Sequence, residues 1–174
     1  MCKHFLNPKT AMQIGPVHEM VKPLCWIIGT WKSISAVINY PNMKSPLNYC
    51  EHLSFVSLGQ PLLNYTSLTW NAGDRSPMHL ESGFLHIDQD GCSVAFLVAQ
   101  KFGAATVEEG LVRNKFLILS TSCIGHMKFV KKEVVSLLRH YSLNDKGQLQ
   151  YHTMMQTIDA PLTDHMNALY EKCE

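Results

Sequence analysis

The residues with the most chemical reach in this sequence are its histidines, one arginine–tyrosine pair and six cysteines. His165 sits in the segment Pro161-Leu-Thr-Asp-His165, and His79 directly follows Met78. A neutral imidazole can ligate a metal, and it can equally be a residue satisfied by nearby backbone. On spacing alone His165 reads as a surface histidine of a terminal helix. His79 reads as a donor to a bound ligand or as a core histidine. Arg139 and Tyr141 are two residues apart, so on a strand they share one face. Such a pair can grip a carboxylate from a ligand, or the arginine can brace a carboxylate of the chain, with Glu108 or Glu109 as the partner. Cys2, Cys25, Cys50, Cys92, Cys123 and Cys173 are scattered, with no C-x-x-C and no histidine at zinc spacing. His4, His18, His52, His126 and His152 build no metal site by spacing. The clusters Glu108-Glu109 and Lys131-Lys132-Glu133 read as solvated charge.

The elements that must position these residues are mostly strands. Runs rich in Val, Ile, Leu, Phe and Tyr recur between Gly, Pro, Asn and Asp. The pattern predicts strands at Trp31–Asn39, Tyr49–Ser57, Leu62–Asn71, Met78–Ile87 and Ser93–Ala99. It continues with Thr106–Arg113, Lys115–Ser122, Met127–Val130, Val134–Leu143 and Gln148–Thr157. Asn71-Ala-Gly-Asp74, Asp88-Gln-Asp-Gly91 and Asn144-Asp-Lys-Gly147 carry turn chemistry. Asn114 can take positive φ in the tight link from Arg113 to Lys115. Short helices are expected at both ends. One lies within Val17–Ile28, interrupted by Pro23. The other runs from Pro161 to Cys173, with Leu162, Met166 and Leu169 on one face. Residues 1–16 read as a flexible arm, and 17–174 as one domain.

Ten antiparallel strands joined by hairpin-length links cannot stay open without exposing two edges. An up-and-down β-barrel is the simplest closure, and a β-sandwich is the structural alternative. A barrel of that size is wider than side chains alone fill, so a cavity for a small apolar ligand is expected.

Composition narrows the function. In 174 residues, 46% are apolar and 17% charged, so the chain is neither disordered nor supercharged. A formal net charge of +1 gives no electrostatic reason to expect nucleic acid or an anionic membrane as partner. No secretory h-region and no run of 18 apolar residues is present, so neither a leader nor a membrane helix is expected. Sparse cysteines fit a reducing compartment, the cytoplasm, with the nucleus as the other setting.

Several segments together resemble the nitrobindin family, whose members include a haem-binding domain at the end of a THAP zinc-finger protein. They are Pro23-Leu24, Gly29-Thr30-Trp31, Tyr40-Pro41, Gly59-Gln-Pro-Leu62 and Pro77-Met-His79. Glu81-Ser-Gly-Phe84, Ala99-Gln100, Val107-Glu-Glu-Gly110 and Pro161-Leu-Thr-Asp-His165 complete the set. The resemblance implies a ten-stranded barrel, similar in outline to fatty-acid-binding proteins, around one ferric haem b. It implies His165 as the axial ligand of the haem iron, with the opposite face open to nitric oxide or peroxynitrite. It implies isomerisation of peroxynitrite to nitrate. Carried over by position, Met78, His79, Gln100 and Met155 line the haem pocket, and Asn42 stands where the family has a pocket threonine. Ser33 and Ser35 stand where the family has glycines, so a haem edge passing that backbone would meet a side chain. No zinc-finger spacing accompanies the barrel, and a homodimer is compatible with the resemblance.

Two other readings remain beside it. A lipid carrier without catalysis would use Arg139 and Tyr141 to hold a fatty-acid carboxylate. An interaction barrel that has lost its ligand would fill its cavity with bulky side chains.

Overall fold

The alternation of apolar and polar residues builds an almost wholly β protein. The computed structural model describes residues 16–40, 43–130 and 134–173. Its strands are β1 (Gly29–Ile38), β2 (Leu47–Ser57), β3 (Leu62–Asn71), β4 (Pro77–Ile87) and β5 (Ser93–Gln100). They continue as β6 (Ala104–Arg113), β7 (Phe116–His126), β8 (Val134–Leu143), β9 (Leu149–Thr157) and β10 (Ala160–Lys172). Each pairs antiparallel with its neighbour in sequence, and β1 pairs with β10 to close the barrel. Closure removes every free edge. The β6–β7 link behaves as its sequence predicts. Asn114 and Lys115 both take positive φ, the geometry of a two-residue hairpin turn.

Two expectations are corrected. The segment Pro161–Cys173 is not a helix: it is β10, bonded to β1 on one side and β9 on the other. Its buried residues are His165 and Tyr170, with Met166 and Ala168 packed against the core between them. The apolar spacing that suggested a helix is overridden because β1 would otherwise leave an open edge. Met127–Val130 is not a strand either. β7 runs unbroken to His126, and a turn follows it. The expected N-terminal arm falls in residues outside the described ones, apart from Pro16.

The first helix is shorter than expected. A single 3-10 stretch, Glu19–Leu24, contains Pro23, whose missing N–H prevents a regular helix. Val21, Leu24 and Ile27 are wholly buried there and plug one end of the barrel. The indole N–H of Trp31 donates to the Ile27 carbonyl at 2.8 Å, fixing the plug to β1. Gly29, at φ +139°, makes the bend between them. Above the plug, Phe55, Tyr65 and Phe96 pack ring against ring, with centroids 4.8 to 6.4 Å apart.

A charged layer crosses the middle of the barrel. Arg139 is fully enclosed and bonds Glu81 bidentately, Nη1 to Oε2 at 2.9 Å and Nη2 to Oε1 at 3.1 Å. Its Nε lies between the Glu108 oxygens, at 3.0 and 2.8 Å. Tyr65 donates to Glu81 and Thr106 to Glu108, each at 2.8 Å. Glu51 joins the layer and accepts from Ser67 at 2.5 Å and Tyr170 at 2.6 Å. Burial alone would raise the Glu81 carboxyl; the Arg139 guanidinium and His79 hold it well below the usual carboxylate range. Burial pushes Glu51 and Glu108 up. Glu81 is thus the firmly ionised partner of Arg139.

Glu81 and Glu108 are each followed two residues later by glycine, Gly83 and Gly110. A methyl group at either would collide with the neighbouring strand's backbone, at Leu97 and Ile118 respectively. Glycine there lets adjacent strands crowd together beside the buried charges.

Gly83→Ala and Gly110→Ala should each lower stability by about 3 kcal/mol, while Gly125→Ala, with open space around it, should stay within about 0.5 kcal/mol of wild type by urea unfolding. Arg139→Met strands two buried carboxyls and should cost about 3–5 kcal/mol at neutral pH. Wild type draws stability from the ionised Glu81 above the ordinary carboxylate value of 4.5 and loses it as pH falls. The variant's carboxyls become neutral over the same range, so the gap between the two unfolding curves should narrow on acidification.

Candidate functional site

Beyond the charged layer the barrel is not filled. A cavity of about 910 Å³ opens there, with Arg139, Glu81 and Tyr151 at its floor. Small-molecule sites span about 300–1,000 Å³. Two apolar clusters form its sides. One joins Ala36, Ile38 and Tyr49 to Met78 and Met166; the other joins Val134 and Leu137 to Met155. This open space argues against an interaction barrel packed solid with bulky side chains.

His165 enters the cavity through a β-bulge. Asp164 pairs with Met154 and Met166 with Thr153, so His165 is the extra residue on β10. Strict alternation from Tyr170, Ala168 and Met166 would send residue 165 outward; the bulge turns it inward. It is 9% exposed. Its Nδ1–H donates to the Asn39 carbonyl at 2.8 Å, and the Asn39 N–H donates to the His165 carbonyl at 2.7 Å. That double tie fixes the ring and leaves Nε2 as the nitrogen with a lone pair. Burial pushes the imidazole below its ordinary pKa, against an opposing contribution from the Asn39 carbonyl. It is a neutral imidazole at neutral pH. The Tyr40 ring packs edge-on against it, centroids 5.0 Å apart.

Met78 and His79 both border the cavity although they are consecutive. A second bulge makes this possible: Leu68 pairs with Leu80 and Trp70 with Pro77, so the two residues face Thr69 alone. The Thr69 hydroxyl accepts from the His79 N–H at 2.9 Å and replaces the lost ladder bond. His79 Nε2 lies 3.2 Å from Glu81 Oε1. Gln100, at the end of β5, and Met155, on β9, are buried against the same space. The Gln100 Nε2 has no hydrogen-bond partner. Asn42 lies outside the described residues.

The two serines that replace glycines stand apart from the cavity wall. Ile34 bulges out of β1 between them. The Ser33 hydroxyl accepts from the Glu51 N–H at 2.8 Å, and Ser35 is exposed. Neither serine borders the cavity.

Arg139 and Tyr141 do share the inner face, as their spacing predicts. The guanidinium, however, is already held by Glu81 and Glu108, and a fatty-acid carboxylate would have to displace one of them. Glu108 is therefore no solvated charge; it is wholly buried, while Glu109 points outward. Glu51, Tyr49 and Thr153 were not singled out from sequence, and Glu81 entered only as part of the Glu81-Ser-Gly-Phe84 motif. Their signal is faint: polar residues at inward positions of alternating strands.

The donor set suits a flat apolar macrocycle with one protein-supplied axial ligand. It offers a neutral imidazole on a rigid seam, methionine and aliphatic walls, and an unpartnered buried amide nitrogen.

Comparison with known proteins points the same way. A family model described as THAP4-like, heme-binding beta-barrel domain matches residues 20–172. Human peroxynitrite isomerase THAP4 is 34% identical over 158 residues, covering 90% of this chain and 27% of the relative. The chain spans 26% to 29% of the length of the mammalian THAP4 relatives it matches. Peroxynitrite isomerase Rv2717c of Arabidopsis thaliana is 33% identical over 159 residues, covering 90% of this chain and 91% of the relative. The crystal structure of Rv2717c from M. tuberculosis superposes with a TM-score of 0.81 at 28% identity, covering 91% of this chain and 100% of that one. With the match running from the 3-10 plug to the last strand of the seam, the chain belongs to the family of THAP4-like, haem-binding β-barrel domains, the nitrobindin group that its motifs resemble.

Proposed function

We propose that this barrel binds ferric haem b through His165 and isomerises peroxynitrite to nitrate, with nitric oxide as a second small ligand. The observation that carries the proposal is the geometry of His165. A bulge turns it into the cavity, Asn39 locks its tautomer, and burial keeps it neutral. The names of the relatives supply the reaction.

Bound ferric haem supplies a Lewis-acidic iron for breaking the peroxide bond of the substrate. The chain's residues do the rest. His165 would hold the iron through its Nε2, the nitrogen that Asn39 leaves free. The apolar walls exclude water and keep reacting fragments together. Substrate and product contain the same atoms, so the net reaction needs no outside reductant. The Arg139 layer closes the floor against solvent from the plugged end. Five free cysteines among the described residues support a reducing, cytoplasmic setting.

Hemin added to the wild-type chain should give a Soret band that His165→Ala shifts or abolishes, with hemin affinity reduced roughly tenfold or more. Stopped-flow measurement should show peroxynitrite decaying faster with the hemin-loaded wild type than with the loaded variant. An unchanged spectrum in His165→Ala would sink the ligand assignment. Equal decay rates would sink the reaction.

A further inference from the structure

In a closed ring of ten strands, β5 lies five steps from β10 in either direction. Gln100 on β5 therefore faces His165 on β10 across the full width of the cavity, and both residues border it. Gln100 is 8% exposed, and its amide nitrogen has no hydrogen-bond partner. An unpaired buried donor costs free energy, so one that persists in a native barrel marks a place for an acceptor. The other polar side chains on that wall are already engaged: His79 Nε2 with Glu81, and the Thr69 hydroxyl with the His79 backbone. Arg139, on the floor, is held by Glu81 and Glu108. The Tyr49 and Thr153 hydroxyls are also unpartnered at the cavity, but they stand on β2 and β9, nearer to His165 on β10 than to the wall opposite. We propose that Gln100 is the hydrogen-bond donor that receives a small anionic or diatomic ligand on the cavity side opposite His165. This rests on the haem reading above and assigns the group that greets what binds on the iron's open face. An amide does not titrate, so the donor is present at every physiological pH. It can turn either its N–H or its carbonyl toward the ligand.

Fluoride tests this without relying on turnover, because it binds ferric haem and accepts hydrogen bonds strongly. Hemin-loaded wild type, Gln100→Leu, Gln100→Ala and His79→Leu are titrated with fluoride and followed by absorbance. Wild type should bind fluoride about tenfold or more tightly than either Gln100 variant, the usual effect of one hydrogen bond to a charged group. His79→Leu should change the affinity by less. The Soret band of each loaded variant, compared with wild type, shows that His165 ligation is intact. Normal hemin uptake with unchanged fluoride affinity in a Gln100 variant overturns the assignment. So does a loss confined to His79→Leu. A wild-type chain that takes up no hemin overturns the haem reading itself, and this inference with it.

Discussion

Everything in this barrel is arranged around one buried cation. A guanidinium inside a protein is tolerated only when each of its donors finds an acceptor, and the acceptors bring their own charges. Arg139 on β8 therefore fixes Glu108, two strands away on β6, and Glu81, four strands away on β4. Those carboxylates in turn demand Tyr65 and Thr106. The layer cannot slide without breaking several bonds at once. Below it, apolar rings pack to the plug. Above it, the wall is held apart, and the cavity persists because its floor cannot collapse. Arg139 also lies 5.8 Å from the Phe96 ring centre, which ties the charged layer to the aromatic core beneath.

Strand alternation alone would have left the cavity short of chemistry. The residues with functional reach are delivered by departures from it. One bulge turns His165 inward, and a second brings Met78 and His79 to the same side. A third, at Ile34, lets Ser33 bond the β2 backbone. A bulge exchanges one ladder bond for a new aim, and each lost partner is made good nearby, by Thr69 or by Ser33.

Much of the fold was legible in sequence because turn chemistry is local. The Asn114-Lys115 hairpin and most strand limits follow from residues within a few positions. The strand count of ten came out right through two compensating errors. A separate strand was expected at Met127–Val130, beyond the true end of β7, and β10 was read as a helix. The second error has a physical cause. Leu162, Met166 and Leu169 have helical spacing, and the bulge at His165 interrupts the alternation that would have revealed a strand. Only the need to cover the edge of β1, more than a hundred residues away, decides the matter. The site was legible in a different manner. Local pattern left His165 and His79 ambiguous, and the family motifs placed them. Of the buried carboxylates, Glu108 was foreseen as a brace for Arg139, while the roles of Glu51 and Glu81 escaped notice because an acid at an inward position looks, in sequence, like any surface acid. The Glu-x-Gly pattern shared by Glu81 and Glu108 is a further trace.

The tie between Asn39 and His165 has a wider reach than orienting a ring. It spans 126 residues and sits on the only strand pairing that joins the two ends of the meander. Pairing of that kind is slow to form, because closing so long a loop is entropically costly. Whatever is bonded to His165 therefore acts as a clasp on the zipper of the barrel. A ligand at a hundred times its dissociation constant adds about 2.7 kcal/mol to the folded state. Here that energy is delivered at the line along which the barrel would unroll. A loaded form would then outlast an empty one wherever opened chains are digested, and abundance itself would record ligand supply.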